Sequence, residues 1–111
     1  MTSNSRVDAI RILNDRFRRT LKGGAVVVTA GIVALSSDVQ TQILAAVQAF
    51  DDFDDGNDPW HEHDFGAIEC AGERVLFKID YFELTRAAHA EDPADPSKTE
   101  RVMTIMLASE Y

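Results

Sequence analysis

Apolar residues recur along the first part of the chain at intervals of three and four. Val7, Ile10, Leu13 with Asn14 beside it, Phe17 and Leu21 make one stripe. This spacing predicts an amphipathic helix over residues 5–22, with Ser5 placed to cap its start and Gly23-Gly24 to end it. The pattern then changes to an unbroken run, "AVVVTAG". It is β-branched and bounded by glycine on both sides, which predicts a buried strand over 25–30. "IVALS" continues as an extended or turning segment. Ser37 opens "SDVQ", the serine and glutamine spacing of a capping box. Val39, Ile43, Ala46, Val47 and Phe50, with Leu44 alongside, mark the buried stripe of a second helix over 38–50.

Residues 51–64 break all periodicity, and Gly56, Asn57 and Asp58-Pro59 are turn signals. Alternation resumes in "FGAIECA" (65–71) and "ERVLFKIDYFE" (73–83), two strands joined by a tight turn at Ala71-Gly72. In the second, Val75, Phe77, Ile79 and Tyr81 share the core face. Arg74, Leu76, Lys78, Asp80 and Phe82 share the other, which suits a partly exposed face or a second small cluster. Residues 84–99 form a long connection in which two Asp-Pro pairs exclude a continuous helix. The run from Val102 to Ala108 suits a strand over 101–108, with a short helix as its competitor. The order α-β-α-β-β-β describes an α+β domain. Two helices would cover one face of a mostly antiparallel sheet of about four strands.

Composition narrows the class. The chain has 111 residues and 45% hydrophobic content, the size of one globular domain with a single modest core. No apolar run is long enough to span a bilayer, and the first residues lack the apolar stretch of a secretory signal. The single cysteine, Cys70, has no internal disulfide partner, so a reducing cytoplasm is the expected compartment and a small strand residue its expected role. The net charge of −8 is unevenly spread. Residues 1–22 carry six basic and two acidic side chains (+4), and the remainder carries five basic and seventeen acidic (−12). Such a body repels duplex nucleic acid and attracts a basic protein surface, although ordinary solubility charge has the same composition.

The candidate chemistry is concentrated in "DDFDDGNDPWHEHDFG", residues 51–66, which holds seven carboxylates and two histidines. With Gly56 at the sixth position of a calcium loop, Asp51, Asp55 and Glu62 fall on ligand positions. Phe53 falls on the third, where it has no oxygen to offer. His61 and His63 are two apart, a spacing that lets a strand present both to one divalent ion. The third ligand would then come from His89, Cys70 or a carboxylate. His63, Asp64 and Asp80 form the candidate acid–base or metal constellation, because the loop leads into the strand that pairs with the one bearing Asp80. Lys78 and Asp80 lie on one strand face, where they are placed to pair with each other. No nucleophile elbow, phosphate loop or dinucleotide fingerprint accompanies them. The competing reading is a binding surface. Asp51, Asp52, Asp54, Asp55, Asp58 and Glu62 would form an acidic rim around Trp60, with no cofactor required.

The motifs NDP-aromatic-x-EHDFG (from Asn57), KIDY (78–81), DPADP (92–96) and T-x-RV-x-TIMLA-x-EY (99–111) resemble a family of small proteobacterial proteins of unknown function. The resemblance covers nearly the whole chain and brings no activity with it. It implies that Glu62, His63 and Asp64 belong to one signature with Asp80 and Tyr81. Its pattern more typically has glycine where this chain has His61, which weakens the two-histidine metal site. The family's association with plasmids points to mobile-element or host-defence biology. The leading expectation is therefore a cytoplasmic module that binds a protein partner, such as an inhibitor, anti-CRISPR-like protein or nucleic-acid mimic. The alternative is a hydrolase-like enzyme centred on His63, Asp64 and Asp80. A homodimer through a sheet edge or the first helix is compatible with either.

Overall fold

The structure is a computed structural model that describes residues 2–85 and 88–111. Helix α1 runs Thr2–Thr20, strand β1 Gly24–Val28, helix α2 Ala30–Val33 and helix α3 Ser37–Ala49. Strands β2 (Phe65–Cys70), β3 (Glu73–Glu83) and β4 (Thr99–Leu107) follow, and a single 3-10 turn, Ala108–Glu110, closes the chain. The four strands form one sheet in the order β1-β4-β3-β2. The β2–β3 and β3–β4 pairs are antiparallel and β1–β4 is parallel, so the sheet is mixed.

The alternation in the sequence is obeyed. Val75, Phe77 and Ile79 of β3 and Met103 and Ile105 of β4 are buried with Phe17, Ile32, Ile43 and Val47 from the three helices. All three helices thus contribute to the core on one face of the sheet. On the other face Leu76 and Met106 face each other across the β3–β4 register and are buried, a small second cluster. Gly66 is required by the core itself. A Cβ there would meet the Phe77 ring at 2.3 Å and the Phe50 ring at 2.8 Å.

Two expectations change. The segment after β1, expected to be extended or turning, is a short helix. β1 stops at Val28, and Glu110 accepts hydrogen bonds from Thr29 Oγ1 (2.6 Å) and the Gly31 amide (3.0 Å), turning the chain into α2. β1, expected to be buried, is an edge strand with Val27 and Val28 exposed. The C-terminal run is the strand expected over 101–108 and not its helical competitor: β4 lies inside the sheet with partners on both sides, a position that favours its β-branched, apolar residues. Arg18, one of the six basic residues of the first segment, is fully buried. The 84–99 connection is partly pinned. Phe82 and His89 form a bridge with stacked rings, and Arg6 pairs with Asp92 at 3.1 Å. Residues 86–87 of that connection lie outside the described residues. Among the described residues no helix is long and apolar enough to cross a membrane.

Candidate functional site

The 51–64 loop is held by its own polar side chains. Asp54 Oδ1 accepts from the amides of Gly56 and Asn57, both at 2.9 Å, while Asn57 donates to the Asp52 carbonyl at 2.9 Å. Asp58 is buried, and its Oδ1 accepts from the amides of Glu62 and His63 at 3.1 Å each. The chain between them makes a tight turn in which His61 and His63 hold φ of +61° and +57°. Asp58 was expected on the exposed acidic surface. The structure gives it to the backbone instead, because two buried amide donors need an acceptor.

His63 then docks this turn on α1. Its Nδ1 lies 2.8 Å from Asp15 Oδ1, its Nε2 lies 3.6 Å from Asp58 Oδ2, and its ring stacks on Phe53 at 3.8 Å. A carboxylate accepts only, so Nδ1 carries the proton. The same Asp15 oxygen accepts from Arg18 Nη1 at 3.0 Å, and Arg18 Nη2 donates to the Phe50 carbonyl. The guanidinium sits over the Phe53 and Phe77 rings.

A second buried network lies alongside. Tyr81 Oη donates to Glu62 Oε1 at 2.7 Å. Asn14 Nδ2 donates to Tyr81 Oη (2.7 Å) and to the Glu62 carbonyl (2.9 Å). Arg101 Nε donates to Asn14 Oδ1 at 2.8 Å, and its Nη2 donates to the Pro93 carbonyl. Burial, reinforced by the bond to Glu62, pushes the Tyr81 hydroxyl well above its usual range. Burial also lowers the Arg101 guanidinium from its ordinary value. Asp64 follows this turn, its carbonyl accepting from the Ile79 amide at 2.8 Å. Its carboxyl is pushed up to about 6, first by burial and then by the charge of Glu62, with smaller contributions from Asp58 and Asp80.

The expected constellation does not assemble. His63 engages Asp15 and Asp58. Asp80 is taken by Lys78 at 2.8 Å, on the strand face they share. Among the described residues no group of three or more histidine, cysteine, aspartate or glutamate side chains is placed to hold a metal ion. His61 is exposed, its carbonyl accepting from Arg11 at 3.1 Å. His89 is exposed against Phe82, and Cys70 is half-buried at the end of β2. The acidic surface does survive in part. Asp51, Asp52, Asp54 and Asp55 are exposed, Trp60 is 76% exposed, and Glu62 is half-buried.

Four residues of this region escaped the sequence reading: Asn14, Asp15, Arg18 and Arg101. Only Asn14 left a signal, as a polar side chain inside an apolar stripe. Tyr81 and Glu62 were tied together by the shared motif set, and here they share a hydrogen bond.

Residues 28–110 match a family model described as a protein of unknown function, DUF3768. The chain belongs to this DUF3768 family. The match begins at the last residue of β1, so α1, which supplies Asn14, Asp15 and Arg18, lies outside it. No curated protein and no solved structure matches the chain. Within the family region, Glu62 and Tyr81 are joined by a side-chain hydrogen bond, and Asp80 is paired with Lys78.

Proposed function

We propose that this DUF3768 protein is a small binding module whose contact surface is the 51–62 loop. One observation supports it above others. Trp60 stands 76% exposed on a turn that Asp58 and His63 hold fixed. An indole on a turn already held in place costs little backbone ordering on binding, and Asp51, Asp52, Asp54 and Asp55 provide an acidic rim for such an anchor. The fitting partner is a protein with a basic surface and an apolar pocket, as on a nucleic-acid-processing complex that the loop would inhibit by occupying its phosphate-binding channel. The cytoplasm is the compartment that suits the free Cys70.

The test is a pair of variants assayed for partner capture across salt concentrations. Trp60→Ala is expected to weaken capture at every salt concentration. Reversal of Asp51, Asp52 and Asp55 to lysine, which spares the loop-holding Asp54, is expected to abolish it and remove its salt dependence. Full capture by both variants sinks the reading. His63→Ala does not discriminate, since His63 supports the loop.

The acid–base alternative is favoured by Asp64, whose carboxyl holds its proton close to neutrality beside Glu62. Its core would be Glu62 and Asp64, with His63 and Asp80 removed from the set. Asp64→Asn separates the two readings. It leaves the exposed rim intact, so partner capture should persist, whereas an acid–base activity should be lost.

A further inference from the structure

The geometry points to a second surface, on the opposite edge of the sheet: β1 is the pairing surface for a second copy of this chain. β1 is an edge strand, "GAVVV", with no charge, proline or bulge. Natural edges are blunted by such features, since an open row of amides and carbonyls recruits another strand. Here the edge is also apolar at its surface: Val27 is 44%, Val28 41% and Val33 58% exposed.

The direction of its backbone groups selects the partner. The Thr29 amide points inward to the Ile105 carbonyl at 3.1 Å. By alternation Ala25 and Val27 also point inward, and Gly24, Val26 and Val28 present their N–H and C=O groups to the free edge. That outward set is symmetric about Val26. An antiparallel copy related by a two-fold axis at Val26 pairs Val26 with Val26 and Gly24 with Val28, so every outward group finds its complement. Ala25 then faces Val27 on the sheet surface, and no like charges are opposed within the strand pair.

The flanks are complementary as well. The same register sets Lys22 of one copy opposite Ala30 of the other. There the Glu110 carboxylate is held by Thr29 and the Gly31 amide. A largely apolar groove of about 300 Å³ between β1, α2 and α3, lined by Val28, Ile32, Ile43, Leu44 and Ile105 among others, adjoins this strand. The product is a continuous eight-stranded sheet with the helices of both copies on one face. Since the 51–64 loop leads into β2 at the other edge, the dimer carries one Trp60 loop at each end.

The experiment uses the full chain. Sedimentation velocity over a concentration series is expected to show a dimer. Amide exchange is expected to show protection at Gly24, Val26 and Val28 that fades on dilution, while Ala25 and Val27 stay protected in monomer and dimer alike. Val27→Lys, at an exposed position, should weaken dimerisation at least about tenfold with the circular dichroism spectrum unchanged. Lys22→Glu, which opposes Glu110 with a like charge, should weaken it less, and added salt should narrow that difference. A monomer at all concentrations overturns the proposal. So does a dimer whose Gly24, Val26 and Val28 amides exchange freely, or protection of these amides only when another macromolecule is added.

Discussion

His61 holds φ +61° in the turn that carries Trp60. A non-glycine residue in this region costs about 1–2 kcal/mol, so His61→Gly is expected to raise stability by about 1 kcal/mol, read by chemical denaturation. The loss of the imidazole should matter little, because the side chain is exposed and only the His61 carbonyl is bonded to Arg11. Asp64 makes a prediction of opposite character. Its folded carboxyl titrates at about 6 against an ordinary value of 3.8, so between these values the folded state binds more protons than the unfolded one. Stability attributable to Asp64 therefore falls as pH rises from about 4 to about 6, and the destabilisation persists above that. Asp64→Asn should leave stability unchanged at pH 4 and raise it at pH 7. Denaturation midpoints at the two pH values decide it.

At the level of elements, α1 is bound to the sheet through polar groups as much as through its stripe. Asn14 occupies a position where helical spacing calls for an apolar residue. It is fully buried and serves Arg101, Tyr81 and the Glu62 carbonyl together. Asn14→Leu restores the stripe and orphans those groups. It should cost about 3 kcal/mol, and Tyr81→Phe, which removes one hydroxyl, about 1–2 kcal/mol, both read from equilibrium unfolding. α2 depends on a contact almost eighty residues away. Glu110 accepts from Thr29, Gly31 and Leu107, and the Thr29 bond first, then Leu107, hold its carboxyl below the ordinary range. This contribution is present above the unfolded pKa and is lost as pH falls through the depressed one. Glu110→Gln should accelerate exchange of the Gly31 and Leu107 amides selectively, leaving the β3 and β4 amides protected.

At the scale of the molecule, the two proposed surfaces lie at opposite sheet edges, the Trp60 loop beyond β2 and the pairing strand at β1. A dimer would present the loop twice, so a partner with two basic sites would be held by avidity. Val27→Lys should then reduce capture of such a bivalent partner more than capture of a monovalent one, whereas Trp60→Ala should reduce both. Surface plasmon resonance at high and low partner density separates the two outcomes.

The fold was legible wherever a local rule acts. Periodicity gave α1 and α3, with Ser36 rather than Ser37 as the cap of α3. Alternation placed β2 and β3 and their core faces, and turn chemistry located Ala71-Gly72. The parallel pairing of β1 with β4 and the turn into α2 were not legible, because both rest on contacts between residues about eighty positions apart. The functional region divides in the same way. Sequence alone determined an acidic loop with an aromatic at its centre and tied Glu62 to Tyr81 through the motif set. Strand alternation also set Lys78 beside Asp80, and the two pair. Only the tertiary structure decided that Asp58 and His63 support the loop and that Trp60 is left to solvent. The physical reason is that carboxylates and imidazoles have the same identity in a sequence whether they face water, an amide or a cation. Burial and partner are set by the chain around them, and here that chain includes Asp15, which no local pattern connects to His63.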